Sequence, residues 1–594
     1  MTGIFRRTLR RWATVGSAAV MCALGTLRAD EPKDTVPVMP VGVKPSPLTE
    51  PTSPRKVTPE FSEDDGRSED AADPGVDPKQ VQAAIDAAYK ARAAAEKKKA
   101  DDKKAKEETE GYAVGTELGG MKVRWNPDNG LIFATTHNDF TLHVGGFLQL
   151  DSVWWDEPGR LRGPGGVGTL EDGVFFRRVH AQLDGTAWEV MEFNLEYLFE
   201  NFGNNTGIGA VEQFYVGMTQ LPLLGNVRIG QMRVPQGLEG DHVTGAKAMT
   251  WLEASSAADA FEDIFGAGIW MGNHVADDRA TWAVMAYKQL GACISGTSGN
   301  ENPNQQMQAG APNGAAIMDR NYAYSGRVTF LPEWENEGRC LTHLGASVSY
   351  RSSLPVNSPG STVAAAQPGS SGVNCVDFSA RPELRDTIGN YTNVGPGNAK
   401  RWIDTGLLQS NAATVLGFEY LSIFGPLSLQ SEWLLAYATD VTGVQAGAPA
   451  GAVPAAIVAV PSQTLSFNGG YAQVSYFLTG ENRLYDRRLG RLNTTYVRPN
   501  TPFWFVRDGS GRFCSGLGAL ELAARYSYLN LDDGPCQGGI MGNLCFGLNW
   551  YINNNLKIQF QYCNTNRWGL TATSPAGFQE GDVNSFGIRT QLTF

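Results

Sequence analysis

The chain has 594 residues, a net charge of −12 and a mean hydropathy of −0.25. Past the amino terminus it contains no uninterrupted apolar run of about 20 residues, which excludes a helical membrane protein; its nearest candidate, 448–461, is broken by Pro449, Pro454 and Pro461 and reads as a surface loop. The acidic balance argues against nonspecific nucleic-acid binding, which needs a positive surface, whereas 69 glycines, 14 tryptophans, 19 tyrosines and 27 phenylalanines point to many glycine-punctuated, aromatic-rich strands.

Residues 1–29 have the three parts of a secretory signal: Arg6, Arg7, Arg10 and Arg11, an apolar region over 12–25, and small residues before Asp30. The paired arginines leave a twin-arginine route open, although its serine-phenylalanine context is missing, and Met21 before Cys22 is too large for a lipoprotein cleavage site. Residues 30–76 are rich in proline and acidic groups and poor in large apolar ones, so they cannot bury enough surface to offset chain entropy and read as a disordered tether. Asp77-Pro78 supplies an N-cap and a first-turn proline for an alanine, lysine and glutamate helix over 77–110. Its apolar stripe (Val81, Ile85, Ala88, Tyr89) is short, leaving three readings: a solvated spacer, a short oligomeric coiled coil, or a contact with peptidoglycan. A connector follows over 111–139.

From Phe140 the pattern has period two, a strand signal. It is clearest at the end of the chain, where Leu544, Phe546, Leu548, Trp550 and Ile552 alternate with smaller or polar residues, Asn553-Asn554-Asn555 turns, and Leu556, Ile558, Phe560 and Tyr562 resume. Phe586, Ile588, Leu592 and the terminal Phe594 then share one face, with Arg589 and Gln591 on the other. Strands that are apolar outside and polar inside, in an exported chain, predict an all-β fold over 140–594: a transmembrane antiparallel β-barrel, whose mean hydropathy stays near that of a soluble protein because only every second strand residue meets lipid. Strands are expected to begin near Phe140, Val174, Val190, Val211, Val227, Phe265, Ala280, Tyr322, Leu341, Val415, Leu427, Phe467, Leu517, Gly542, Leu556 and Val583, roughly sixteen in all, an even number as such barrels favour.

Counting back from Phe594 as a periplasmic end makes the links at 187–189, 220–225, 421–426 and 553–555 short periplasmic turns. The long links 156–173, 233–264, 290–321, 352–413 and 439–466 then fall outside, the asymmetry such barrels show. One link breaks the rule: 480–516 is long yet periplasmic.

The same parity assigns the lumen. Arg178, His180, Gln182 and Asp184 share an inward face, as do Glu192, Asn194 and Glu196, and Arg228, Arg327, Arg351, Arg525, Lys557 and Arg589 face inward with Glu432 and Glu521. The exceptional turn gathers Arg483, Arg487, Arg488, Arg491, Arg498, Arg507 and Arg512 against Glu481, Asp486 and Asp508. Folded back into the lumen it makes the mouth electropositive, since low-dielectric walls focus the field; otherwise it is a solvated loop. The expected anion path is thus Arg483, Arg487, Arg488, Arg491, Arg178, Arg228, Arg327, Arg351, Arg525 and Lys557. The link 233–264 contains Leu238, Met249, Trp251 and Leu252, too apolar for a waving loop, and is expected to fold inward as a constriction carrying Arg233, Glu239, Asp241, Lys247 and Glu253. Its surplus of carboxylates argues against simple anion selectivity at that level.

Five segments in order resemble the phosphate- and polyphosphate-selective porin family: Phe175-Phe176-Arg177-Arg178, then GQMRVPQGLE from Gly230, SYFLTGE from Ser475, ELAARYSYL from Glu521 and GLNWYIN from Gly547. The resemblance covers 140–594. It implies a trimeric, sixteen-stranded outer-membrane anion channel for small hydrophilic solutes such as phosphate, whose third outer loop and one long periplasmic turn enter the lumen. No cofactor is implied, and the partners implied are outer-membrane lipid, small anionic solutes and two further copies of the chain.

Of 8 cysteines, Cys545 and Cys563 are predicted to be direct cross-strand neighbours, with a disulfide there open. Cys293 and Cys375 lie in outer links and are free to pair; Cys514 and Cys536 are not, being separated by a strand. No spacing resembles a zinc site. An outer-membrane hydrolase would need a nucleophile beside a histidine, yet only His137, His143, His180, His242, His274 and His343 exist and no Gly-x-Ser-x-Gly elbow occurs. His180 near Asp184 reads as a pair in the lumen wall. The long outer links leave a surface adhesin or cell-wall anchor as the rival to a diffusion channel.

Overall fold

Alternation of lipid-facing apolar and inward polar residues carries sixteen antiparallel strands in a computed structural model, each paired with the next and the last with the first. Described are residues 112–113, 121–126, 130–135, 137–162, 166–199, 210–239, 250–288, 322–355, 374–385, 401–445, 457–492, 497–503, 512–513, 516–569 and 579–594. The signal, the tether and the 77–110 helix fall outside them, as do Asp241, Lys247, Cys293, Arg507 and Cys514.

The strands are β1 Phe140–Asp156, β2 Gly173–Ala187, β3 Met191–Leu198, β4 Ala210–Leu221, β5 Gly225–Arg233, β6 Phe265–Val275, β7 Ala280–Lys288 and β8 Tyr322–Glu335. They continue as β9 Cys340–Ser352, β10 Ala412–Phe424, β11 Leu427–Gln445, β12 Ile457–Phe477, β13 Ala519–Asp533, β14 Cys536–Tyr551, β15 Leu556–Trp568 and β16 Gly581–Thr593. Phe214, Val216, Tyr324, Val328, Phe418, Trp433, Tyr526 and Phe546 point outward and are exposed, while their neighbours Gln213, Arg327, Glu419, Glu432, Arg525 and Cys545 point inward and are buried. Pairing of β16 with β1, from Thr593↔Phe147 to Asn584↔Asp156, closes the cylinder, so the sixteen barrel strands form a ring without a first or last edge. The terminal Phe594 locks the seam by exchanging backbone hydrogen bonds with Gly146 at 2.9 and 3.1 Å.

The closing hairpin forms where the asparagines predict it. Asn553 Oδ1 accepts from the backbone N–H groups of Asn555 and Leu556, both at 2.8 Å, a side chain standing in for a backbone turn. The register that follows places Cys545 opposite Cys563, and the two form a disulfide. Two strand starts differ clearly from expectation. β12 begins at Ile457 rather than near Phe467, and β14 at Cys536 rather than near Gly542. In β12 the extra residues overlap the proline-rich stretch read as a surface loop; Pro461 sits where the β11–β12 register is irregular, a place where its missing N–H breaks no ladder bond. The 111–139 connector also carries a hairpin, Met121–Asn126 with Gly130–Thr135, which adds to β1.

Three segments enter the barrel. Residues 234–239 and 250–264 fold in from the long-loop end, with Val234, Gln236, Leu238, Trp251, Leu252 and Phe261 at most 2% exposed. Their helix α1, Ser256–Phe261, is capped by Ser255 Oγ accepting from Ala258 N at 3.3 Å. From the link 352–413, expected only as an outer loop, residues 374–385 and 401–411 also pack inside: Phe378 lies 5.4 Å from Phe261 and 5.5 Å from Phe467 between ring centroids, and Trp402 and Ile403 share that apolar cluster. Residues 480–492 of the long turn between β12 and β13 enter from the opposite, short-turn end, where Leu492 packs with Leu238, Leu331, Leu341 and Leu421.

Candidate channel lumen

Inserted loops and barrel wall meet through ion pairs. Glu253 is the densest junction: its carboxylate receives Arg177 at 2.7 and 3.0 Å and Arg589 at 3.2 Å, with Arg385 at 3.6 Å and Arg178 at 3.7 Å. Two neighbouring arginines on one strand reach the same group because the β1–β2 register skips Arg177 between Phe176 and Arg178. That bulge turns an outward position inward. Burial alone would push the Glu253 carboxyl up, but Arg177, Arg178 and Arg385 outweigh it and hold it well below the usual carboxylate range.

Several other arginines are engaged in the same way. Arg525 holds Glu239 at 3.0 Å and Glu383 at 2.9 Å, Arg351 holds Asp263 at 2.7 Å, and Arg327 is bidentate on Glu419 at 2.7 and 2.8 Å. Arg589 is bidentate on Asp151, both bonds 2.7 Å, and Arg385 reaches Asp259 at 3.2 Å. A buried carboxylate and guanidinium tolerate loss of water only when each satisfies the other. The surplus carboxylates of the constriction segment are therefore engaged largely by the wall and by the second loop. Glu262 is the exception. Both of its carboxylate oxygens are buried without a hydrogen-bond partner among the described residues, and burial together with Glu432, Glu239 and Glu419 raises it well above the usual range.

Among the described residues an open cavity of about 540 Å³ lies on the side of β2–β8, between the wall and the inserted turn. Arg124, Arg228, Arg233, Arg327, Arg488 and Arg491 line it against Asp184, Glu192 and Glu196. Arg228 is bidentate on Glu192 at 2.6 and 3.1 Å and lies between the Tyr215 and Trp270 rings at 4.9 and 4.8 Å. Arg233 stacks over Phe265 at 4.5 Å. The turn is fixed in place by Gly490 O accepting from Arg327 at 3.0 Å and by a 2.7 Å hydrogen bond between the Tyr485 hydroxyl and His343.

The ten cations expected on one path thus divide. Arg228, Arg327, Arg488 and Arg491 reach the cavity, and the Arg488 side chain is 74% exposed with Asp278 at 4.0 Å. Arg487 lies over the Trp334 ring at 4.9 Å and donates to the backbone carbonyls of Asp277 and Asp278. Arg178, Arg351, Arg525 and Lys557 face inward, as parity requires, but inserted residues Glu253, Asp263 and Glu239 hold the three arginines, and Arg525 and Lys557 are each 1% exposed. Arg483 is buried too, 3.4 Å from Glu521 and from Gln430. Of the constriction residues, Arg233 lines the cavity while Glu239 and Glu253 are buried in ion pairs. Glu383, Arg385 and Arg124 were not singled out from sequence. Phe378, Leu384, Trp402 and Leu407 carry the same signal, apolar bulk in a loop, that identified 233–264.

Among solved structures, the chain is similar to a loop-deletion mutant of OmpT, an outer membrane protein of Vibrio cholerae, at 10% identity and a TM-score of 0.40 over 77% of this chain and 100% of that one. It is also similar to the outer membrane channel DcaP of Acinetobacter baumannii, at 10% identity and a TM-score of 0.39 over 78% and 99%. Among curated proteins, Porin O of Pseudomonas aeruginosa is 24% identical over 509 residues, 81% of this chain and 95% of that one. An uncharacterized protein of Caulobacter vibrioides is 25% identical over 459 residues, 77% and 75%. The model of the family described as phosphate-selective porin O and P matches residues 159–594. The chain belongs to that family and is an outer-membrane porin, a passive-diffusion channel rather than an enzyme.

Proposed function

We propose that the channel prefers anions, with phosphate or a similar small oxyanion as its solute. The observation that carries this reading is the lining of the open cavity: with Arg228 set against Glu192 and Arg327 against Glu419, the guanidinium groups of Arg124, Arg233, Arg488 and Arg491, the last two from the inserted basic turn, still outnumber Asp184 and Glu196. Of the acids in 233–264 that argue against anion preference, Glu239, Glu253, Asp259 and Asp263 are paired with Arg525, Arg177, Arg385 and Arg351, while Glu262 is not and Asp241 lies outside the described residues. In a narrow low-dielectric passage a local excess of positive charge raises the concentration of anions. The family's description as phosphate-selective supports the choice of solute.

The long-loop end is read as extracellular and the short-turn end, with Phe594 and the segment before residue 140, as periplasmic, following the loop asymmetry of such barrels. The working assembly is a homotrimer in outer-membrane lipid, with 77–110 available for contact with peptidoglycan. The test is single-channel recording of reversal potential in a chloride gradient, for the wild type and for a variant with Arg488 and Arg491 changed to alanine. Anion preference that weakens in the variant is expected. Cation preference in the wild type would sink the reading, and an unchanged reversal potential would remove the turn's role.

A further inference from the structure

At the edge of the open cavity, three strands bring together a group the anion path does not use. His180 of β2 lies with Nδ1 2.8 Å from Glu196 Oε1 of β3 and 3.4 Å from Glu212 Oε2 of β4. The ligand-capable atoms of all three lie within 4.8 Å of one another. Glu212 is there because of a bulge: the β3–β4 register passes from Glu196↔Gln213 to Tyr197↔Val211 and leaves Glu212 unmatched, which turns its carboxylate toward the lumen beside Gln213. We propose that His180, Glu196 and Glu212 bind a divalent cation of intermediate softness, zinc being the representative ion.

Three independent features support the site. The first is spacing. Ligand bonds of about 2.0–2.2 Å in a tetrahedral shell put donor atoms about 3.4 Å apart, and the two distances to His180 Nδ1, 2.8 and 3.4 Å, are close to that edge. The second is burial. His180 and Glu196 are 5% and 3% exposed and the Glu212 side chain is 14% exposed, so two carboxylates share one imidazole largely out of bulk water, where a divalent cation satisfies both acids at once. Arg178 also acts on Glu212, and it serves Glu253 at 3.7 Å and Gln149 at 2.9 Å as well.

The third feature is the supporting shell. Gln213 donates to Glu196 Oε2 at 2.8 Å and so turns Oε1 toward the imidazole. Gln231, 4% exposed, donates to the carbonyls of Val211 and Glu212 at 3.2 and 2.8 Å and holds the bulge. Its own Oε1 is a buried acceptor with no protein partner among the described residues. Outer-shell bonds of this kind orient metal ligands. Glu196 and Gln213 line the cavity, which gives an ion an entry path. One imidazole nitrogen, two carboxylate oxygens and no sulfur suit zinc, nickel or copper(II) better than a soft monovalent ion or calcium. The site does not depend on anion preference and is tested without reference to it.

The experiment uses the full chain in detergent, stripped with a chelator and dialysed against zinc chloride, with bound metal counted by mass spectrometry and affinity read by competition with a chromophoric chelator. One zinc per chain is expected, with binding at least tenfold weaker in His180→Ala and in Glu212→Gln and unchanged in His274→Ala. His274 is the control because it pairs with Asp278 at 2.5 Å and, among the described residues, has no third ligand grouped beside it. Zinc retained equally by all variants, or by none including the wild type, would overturn the proposal and leave an ion-paired triad. X-ray absorption of the zinc-loaded wild type needs no variant to fold: a shell of one imidazole with oxygen donors is expected, and sulfur or several imidazoles would refute the assignment.

Discussion

The two halves of the lumen use the same residue types to opposite ends. On the side of β13–β16 and β1, Arg525 and Arg589 disappear under residues 250–264 and 378–385 and become internal ion pairs. On the side of β2–β8, Arg228 and Arg233 keep one face toward the cavity, and the basic turn adds Arg488 and Arg491. A guanidinium facing inward is therefore not by itself part of a channel. It attracts anions only where water reaches it; beneath a loop it serves as an anchor whose charge is cancelled by a carboxylate a few ångströms away.

The largest effect is expected where the filled half is broken. Glu253→Ala leaves Arg177, Arg178, Arg385 and Arg589 facing one another without their shared carboxylate. Loss of one partner from a buried pair costs about 3–5 kcal/mol, so urea unfolding of the detergent-solubilised protein should shift to markedly lower denaturant and single-channel conductance should rise as the constriction loosens. Unaltered conductance and stability would mean that the filled half is held by its apolar cluster alone.

A smaller effect of opposite sign is expected at Glu262. Its folded-state pKa is raised by burial and by Glu432, Glu239 and Glu419, so the stability tied to its protonated form is complete below the ordinary carboxyl value near 4.5 and is lost as pH rises through the folded value. Glu262→Gln removes the charge that must be avoided. Thermal unfolding of the variant should match the wild type at pH 4 and exceed it at pH 8; a parallel pair of profiles would show that Glu262 is solvated. The smallest effect on stability, within about 0.5 kcal/mol, belongs to the open half, where Arg488→Ala with Arg491→Ala removes cavity-lining charge. There the change is expected in reversal potential alone, which separates the halves: one variant alters folding, the other selectivity.

How much of this was legible depended on how local the cause is. Strand positions could be read because lipid outside and polar groups inside impose period two on each strand separately, and the Cys545–Cys563 pairing followed from a turn ten residues or fewer from either partner. The inward folding of 233–264 was readable from apolar residues that no solvated loop would carry, and the same signal in 374–408 went unused. The bulges that turn Arg177 and Glu212 inward left no mark in the alternation, since one skipped residue resembles a boundary error.

By itself the sequence determined a closed barrel, the inward parity of its charged residues and the one basic turn that breaks the loop asymmetry, because each is written in the period and length of neighbouring segments. Only the tertiary structure decided which inward charges meet water. Arg525 is held by Glu239, 286 positions away, and Arg589 by Asp151, 438 away. A segment that distant in the chain leaves no local pattern at the arginine it covers, yet its arrival exchanges water for a carboxylate and turns a lining charge into an anchor.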